Sequence, residues 1–324
     1  MTAKEIFELV RDDLALVERE IAAQNDAAIE PVAEISRYLL GGGGKRLRPA
    51  LLLLSARCCG YRGDAAIRLG AVVEMIHSAT LIHDDVIDGA DTRRGRPSAN
   101  SRFGNHRSVL AGDWLYMQAF EMALRESNFR VLDILISLTQ SMVEGELLQW
   151  TRLGRLDLTE EEATDLAFRK TACLFSGCMR LGAVLAGAEA SLEEALAEYG
   201  RCAGLAFQLV DDLLDFTASP EQLGKPVLSD LKEGKVTLPL ILAMQNGDGT
   251  ARKMAATVLE EKGFTSVRPE ELTALVKKSG ALERARQMAN EYARRAQACI
   301  NGNGDAEYCR ALLTVPEFIL AREN

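Results

Sequence analysis

The chain carries eight prolines, and none falls between Pro97 and Pro220. A proline inside a helix removes a hydrogen bond and clashes with the preceding turn, at about 3 kcal/mol, so a proline-free stretch of that length belongs to a helical chain. The stretch is rich in Ala, Leu, Glu and Arg, which cost least in a helix interior. Apolar periodicity predicts helices over 3–25, 30–41, 47–59, 64–89, 107–127, 130–150, 160–188, 191–217 and 236–246, with shorter ones to the C-terminus. The breaks coincide with Gly, Pro and Asn clusters: GGGG at 41–44, GRP at 95–97, SPEQLGKP at 219–226, NGDG at 246–249 and NGNGD at 301–305. None is long enough to link domains, and neither strand alternation nor a solenoid-length repeat is present. The predicted fold is all-α, with a single domain over 1–324.

A hydrophobic content of 48% over 324 residues, with 26% charged, supports a large core and lies far from the composition of disordered chains. Lys and Arg number 38 against 47 Asp and Glu, a net charge of -9, and the longest basic run is KRLR at 45–48. Nucleic acid is therefore not an expected partner, because phosphate backbones are bound by excess positive charge. The seven cysteines (Cys58, Cys59, Cys173, Cys178, Cys202, Cys299, Cys309) contain no CxxC pair, and their number is odd. They predict reduced thiols in a cytoplasmic protein. The N-terminal MTAKEIFELVRDDL reads as an acidic amphipathic helix rather than a targeting segment, and no uncharged apolar run approaches the ~18 residues of a membrane span, so a soluble protein is expected.

One short pattern occurs twice. HDDVID (83–88) and VDDLLD (210–215) each end a predicted helix, so DDxxD is present in two copies. With Asp at about one residue in twenty, one copy arises by chance in roughly 4% of chains this long and two in well under 1%. On a helix, Asp84 and Asp88 share a face, as do Asp211 and Asp215, and like charges at that spacing repel. Each pair follows a strongly apolar segment, AVVEMIHSATLI or CAGLAFQLV, where water is partly lost; the arrangement is costly unless cations are supplied. Hard oxygen donors without Cys or paired His suit magnesium, which shares its shell between a few carboxylates, waters and substrate phosphates. His77, His83 and His106 lie near the first copy, but no HExxH or clustered Cys accompanies them, so zinc is not expected.

Positive charge follows each acidic end. GGGGKRLRP (41–49) places Lys45, Arg46 and Arg48 after four glycines whose bare backbone can present N–H groups to an anion; it lacks the GxxxxGK[ST] of a nucleotide triphosphatase. DTRRGRP (91–97) places Arg93 and Arg94 beyond the first acidic pair, and SPEQLGKP places Lys225 beyond the second.

GGKRLRP, HSATLIHDDVIDGADTRRGRP, FRKTACLF, FQLVDDLLDF, GKP and SDLKEGKVTLP, in that order, resemble the motif set of the trans polyprenyl diphosphate synthases, closest to the octaprenyl diphosphate synthase group. The resemblance runs from about 41 to 240, with no motif position missing. It implies an antiparallel helix bundle around a deep central cavity, with the two acidic motifs facing each other across its mouth. It implies that Asp84, Asp85, Asp88, Asp211 and Asp215 hold two or three magnesium ions, with Asp212 completing the second motif. Arg93, Lys170, Thr171, Gln208, Lys225 and Lys235 correspond to contacts around an allylic diphosphate, and Lys45, Arg48, His77 and Arg94 to the site for isopentenyl diphosphate. The implied catalytic set is Asp84, Asp85, Asp88, Arg93, Lys170, Asp211, Asp212, Asp215 and Lys225. A homodimer, no membrane span and room for a peripheral membrane contact at product release complete the expectation.

The implied reaction is the ionisation of an allylic diphosphate and capture of the cation by isopentenyl diphosphate, which needs concentrated positive charge on the leaving group in a dry apolar site. Val73, Ile76, Ala79 and Thr80 form one helix face running back from the first acidic pair, and the small Ala79 and Thr80 leave room for a long product, near octaprenyl, of the kind used in quinone side chains. Met117, Phe120 and Met122 are the candidate stoppers. The rivals are a shorter-chain synthase, a class I terpene cyclase, which takes no second substrate, and a non-catalytic partner subunit. Glu144 and Glu146 of VEGELLQW resemble a family segment near the pocket, but acids on a helix are usually solvated and both are left outside the site.

Overall fold

In the computed structural model, regular structure is almost wholly helical, as predicted. The structure describes residues 1–26, 29–40, 46–93, 95–218, 227–300, 302 and 304–323. The helices are α1 (Ala3–Leu9), α2 (Arg11–Asp26), α3 (Glu30–Leu40), α4 (Leu47–Cys58), α5 (Ala65–Ile87), α6 (Ala99–Phe103), α7 (Asn105–Arg125), α8 (Phe129–Arg152) and α9 (Glu160–Ala167). They continue with α10 (Cys173–Leu185), α11 (Ala190–Thr217), α12 (Ser229–Lys232), α13 (Leu238–Asn246), α14 (Thr250–Glu261), α15 (Pro269–Lys278), α16 (Ala281–Ala298) and α17 (Ala306–Leu320).

Three departures from the predicted pattern matter. The helix expected over 3–25 breaks at Val10, although neither Gly nor Pro lies there; Thr2 and Glu5 form a capping box at its start. The helix expected over 160–188 is interrupted by a π-turn, Phe168–Ala172, a form that inserts an extra residue into the helical ladder. Thr92–Arg93 pairs antiparallel with Arg96–Pro97, a two-residue hairpin too short to leave a strand signature.

The chain packs as two compact units: 1–139 with 174–197 and 300–314, and 140–173 with 198–299 and 315–324. In the first, α5 is the core helix, with Leu69, Val72, Val73, Met75, Ile76, Ala79 and Ile82 buried and α2, α4 and α7 packed around it. By length and composition α5 could cross a membrane, with a mean hydropathy of 1.4, but 78% of its apolar window is buried inside the protein. Close helix approach rests on glycine. A Cβ on Gly112 of α7 would stand 2.3 Å from Nε2 of His83, and one on Gly182 of α10 would stand 2.6 Å from Ser55 Cβ of α4. Ser55 Oγ also donates to the Met179 carbonyl at 2.6 Å.

The second unit is built on the C-terminal part of α11 and on α13 to α16. Leu209, Val210, Leu213 and Phe216 pack with Leu238, Ile241 and Leu242, and then with Val258, Leu272, Val276, Ala285 and Ala289. Helix α13 opens with proline at its second residue, where the missing N–H has no intrahelical partner to lose.

Candidate active site

Both DDxxD copies lie at the C-terminal ends of long helices. Asp84 is in the last turn of α5 and Asp88 caps it; Asp211, Asp212 and Asp215 occupy the last two turns of α11. A helix C-terminus carries partial negative charge, so carboxylates there are disfavoured, and neither helix places a basic residue in its last turn. Two long helices therefore end in electrostatically unfavourable groups that only cations from elsewhere can offset.

Within each copy the carboxylates differ. Asp85 is 1% exposed, and both its oxygens accept from Arg93, at 2.8 and 2.9 Å from Nε, with a third contact at 2.6 Å from Nη2. Asp84 is half-buried and Asp88 exposed. A small cavity of about 60 Å³ lies beside Asp85 and Arg93, lined also by Tyr38, Leu39, Ser78 and Leu81. In the second copy Asp211 is exposed, whereas Asp215 is buried. Its carboxylate accepts from Ser229 Oγ at 3.0 Å and from the Asp230 N–H at 3.3 Å, at the start of α12. The i, i+4 spacing thus holds, but the two ends of the motif face different surroundings.

Arg48, at the second position of α4, donates to Nε2 of His77 at 3.0 Å and lies 5.4 Å over the Phe175 ring. A guanidinium has donors only, so His77 Nε2 accepts in this contact. Arg46, grouped with Arg48 by sequence, turns instead to Glu18 and Glu74, the latter at 2.7 Å. Thr80 Oγ1 donates to the His77 carbonyl at 2.7 Å, and Ile76 and Ala79 are fully buried on the same helix. Of the proposed stoppers, Met122 is buried and Phe120 half-buried. Met117 is 64% exposed and points away from the core, which removes it as a floor for this unit's interior.

The second unit collects a polar chain. Thr171 Oγ1 donates to Gln208 Oε1 at 2.7 Å, and Gln208 Nε2 donates to Asp212 Oδ1 at 2.9 Å. Burial holds the Asp212 carboxyl well above the usual carboxylate range; Asp230, Asp211 and Asp215 push the same way, while the Gln208 amide opposes. Lys170 sits on the π-turn against Glu146 at 2.6 Å and Gln149 at 2.9 Å. Lys235 reaches Glu233 at 2.9 Å. Lys45, Arg94 and Lys225 lie outside the described residues, as do the four glycines at 41–44.

Sequence reasoning missed two residues. Arg322, in the C-terminal turn, stacks 4.3 Å over Phe207 and reaches Asp211 at 3.5 Å; a lone arginine in a tail without motifs carries no signal. Glu146, expected among the solvated acids, is largely buried against Lys170.

Among the described residues, no three His, Cys, Asp or Glu side chains gather closely enough to cage an ion. Each helix end offers one or two carboxylates, the set magnesium takes when water and substrate phosphate complete its shell, so the residues fit that ion.

Acidic helix ends with cationic side chains nearby, on an all-α chain, are the marks of a polyprenyl synthetase, and the polyprenyl synthetase family model matches residues 29–276. The chain belongs to that family and is a prenyltransferase enzyme. It is 39% identical over 324 residues, the full length of both chains, to octaprenyl diphosphate synthase of Escherichia coli strain K12. Among solved structures, polyprenyl synthase from Caulobacter crescentus CB15, complexed with calcium and isoprenyl diphosphate, superposes with a TM-score of 0.94 at 35% identity, covering 100% of this chain and 98% of that one. A decaprenyl diphosphate synthase from Rhodobacter capsulatus superposes with a TM-score of 0.93, also at 35% identity, covering 99% of each.

Proposed function

We propose that the protein condenses isopentenyl diphosphate head-to-tail onto an allylic diphosphate and releases a long-chain product of about eight isoprene units, for a quinone side chain. The observation that carries this reading is the pair of aspartate motifs at the C-termini of α5 and α11 with no basic residue in either last turn. In this reading Asp84, Asp88 and Asp211 present carboxylates to magnesium, two or three ions in all. Asp85 and Asp215, also assigned to metal by resemblance, are engaged by Arg93 and by Ser229 with Asp230. A calcium ion and isoprenyl diphosphate bound in the Caulobacter relative support a divalent ion with a diphosphate substrate.

When bound, the ions supply positive charge to the leaving diphosphate. Arg93, Lys170, Lys225 and Lys235, which correspond to contacts around the allylic diphosphate, would donate to it as the allylic C–O bond breaks and its electron pair leaves with the diphosphate. The allylic cation forms near Thr171 and Gln208, whose hydrogen bond to each other fixes their oxygens. Isopentenyl diphosphate is held by Lys45, Arg48, His77 and Arg94. Its double bond attacks the cation, a proton passes to the departed diphosphate, and five carbons have been added. No side-chain nucleophile is needed.

The face of Ile76, Ala79 and Thr80 supports a long product, because a small residue on a buried helix face leaves width for a hydrocarbon. One domain over 1–324 is supported by unit boundaries that fall inside α8, α10, α11 and α17, with one, at 299/300, between helices. A homodimer is supported by apolar residues on the surface: α7 exposes Leu110, Met117 and Leu124, and α8 exposes Phe129, Ile136, Val143 and Trp150, each set seven residues apart as in helix-to-helix seams. We place the enzyme in the cytoplasm, where the burial of five of its seven thiols is compatible with their acting as small hydrophobes.

The test is incubation of the purified chain with magnesium, farnesyl diphosphate and labelled isopentenyl diphosphate, followed by chromatographic sizing of the dephosphorylated products. A ladder ending near eight units is expected. An end at three or four keeps the chemistry and overturns the length, and no incorporation overturns the reading in favour of a cyclase or partner subunit. Asp84→Ala and Asp211→Ala should each abolish most turnover with unchanged circular dichroism; wild-type rates in both would remove the metal assignment.

A further inference from the structure

Gly145 is buried on α8 against the π-turn, where a Cβ would stand 2.8 Å from Arg169 Cβ and 3.1 Å from Lys170 Cγ. Any side chain there would push helix and turn apart. The residues flanking this glycine are the two glutamates of VEGELLQW, and each takes one of the two consecutive basic residues of FRKTA. Glu144 accepts from Arg169 Nη1 at 2.5 Å, and Arg169 Nε is also held by Asp165 at 3.0 Å. Glu146 pairs with Lys170 Nζ at 2.6 Å, and Gln149, one turn further along α8, accepts from the same ammonium at 2.9 Å.

The two grips are not equivalent. The Glu144 side chain is 61% exposed, and an ion pair in that setting contributes little. Glu146 is 16% exposed and Lys170 24%, so their pair is shielded. An ammonium has three N–H donors on a flexible stem and no acceptor. With two donors directed at Glu146 and Gln149, the direction of the third is set.

We propose that Glu146, assisted by Gln149 and by the close approach at Gly145, is a positioning residue that aims the Lys170 ammonium at the diphosphate of the allylic substrate. This rests on the reading of Lys170 given under Proposed function. A lysine left to its own rotamers would meet the leaving group in only a fraction of encounters; one held by two acceptors meets it already oriented.

Steady-state kinetics of Glu146→Ala, Glu146→Gln, Lys170→Ala and the Glu146→Ala/Lys170→Ala double variant test this. Glu146→Ala should lose about tenfold in kcat/KM for the allylic diphosphate while the KM for isopentenyl diphosphate stays put, the size expected for one charge-assisted hydrogen bond. Glu146→Gln, which keeps the acceptor and folds if the alanine variant does not, should recover part of that loss. The double variant should be no slower than Lys170→Ala alone, because a residue acting through Lys170 has nothing left to orient. Glu144→Ala should stay within about twofold of wild type. An impaired Lys170→Ala combined with an undiminished further loss in the double variant overturns the positioning role only. A Lys170→Ala enzyme with wild-type kcat/KM overturns the role of Lys170 and with it this one.

Discussion

Replacing Asp85 by Asn separates two roles that one aspartate of the first motif could have. The carboxylate is 1% exposed and both oxygens face the Arg93 guanidinium at 2.6 to 2.9 Å. An amide of the same shape keeps one acceptor but turns an NH2 group at a row of donors. Breaking one partner of a buried pair costs about 3–5 kcal/mol. The Arg93 side chain is 33% exposed, so water relieves part of its stranded charge and about 2–3 kcal/mol is expected. With an unfolding entropy of about 2.1 cal/mol/K per residue, or roughly 0.7 kcal/mol/K for a chain of this size, the Tm of the metal-free protein should fall by about 3–4 °C. Adding Arg93→Gln removes the stranded charge, so the double variant should regain much of the lost Tm while turnover stays low, since Arg93 is assigned to the diphosphate. Differential scanning calorimetry without magnesium, beside steady-state rates, reads both. If Asp85 were chiefly a metal ligand, removing one of three clustered negative charges would leave the metal-free Tm unchanged or raise it, and the magnesium requirement would rise; that result refutes the buried-pair account.

Three further outcomes follow from the same structure. Ala79→Tyr, on the buried face of α5, should shorten the product ladder in the sizing assay, and an unchanged length would show that this face does not line the path of the chain. Glu198 is held down to about 2 chiefly by its hydrogen bonds from Arg201, with Cys202 and Arg295 contributing. Its stabilisation is therefore complete above its ordinary 4.5 and lost as pH falls toward 2. With the side chain 38% exposed, Glu198→Gln should cost only about 1 kcal/mol in urea melts at pH 7, and the gap to wild type should narrow below pH 4.5 and close as pH falls to about 2. Leu124→Asp with Phe129→Asp should shift sedimentation from dimer to monomer, and an unchanged value would place any dimer elsewhere.

The fold class and both acidic motifs were legible because they rest on local rules: proline absence, helical periodicity and charge at the ends of apolar runs. What the sequence hid depends on packing. FRKTA has no residue that announces a π-turn, yet the turn carries both Lys170 and Thr171. Glu146 looks like any acid on an amphipathic helix until Gly145 brings α8 against that turn. Arg322 is a single cation far from any motif, and only the fold sets it beside Asp211. Met117 is different, since its outward direction could have been read. It repeats at seven residues with the exposed Leu110 and Leu124, whereas Met122 falls on the row of the buried Leu115 and Ala119.

The order in which acidic helix ends and basic loops alternate along the chain has a physical reason in the two most deeply buried of these aspartates, Asp85 and Asp215. Asp85 binds Arg93, eight residues on, and the carbonyl of Asp85 also accepts from the Ala90 N–H at 2.9 Å, so the inner residue of the first motif ties down the start of the loop that follows it. Asp215, the last residue of the second motif, has a similar part there: its carbonyl accepts from the Leu228 N–H at 3.0 Å and its carboxylate accepts from Ser229 Oγ and the Asp230 N–H. Lys235 is fixed in turn, because its own N–H donates to the Asp230 carbonyl at 2.8 Å. Described chain beyond each acidic end, 90–93 after the first and 228–235 after the second, is thereby tied to an aspartate of the motif before it. Within each DDxxD the buried carboxylate is tied to chain that follows the motif, Asp85 to Arg93 and Asp215 to Ser229 and Asp230. A substitution that conserves charge but not hydrogen-bond reach at Asp85 or Asp215 should then disturb the segment that follows the motif, Arg93 in the first case and the Ser229–Lys235 stretch in the second.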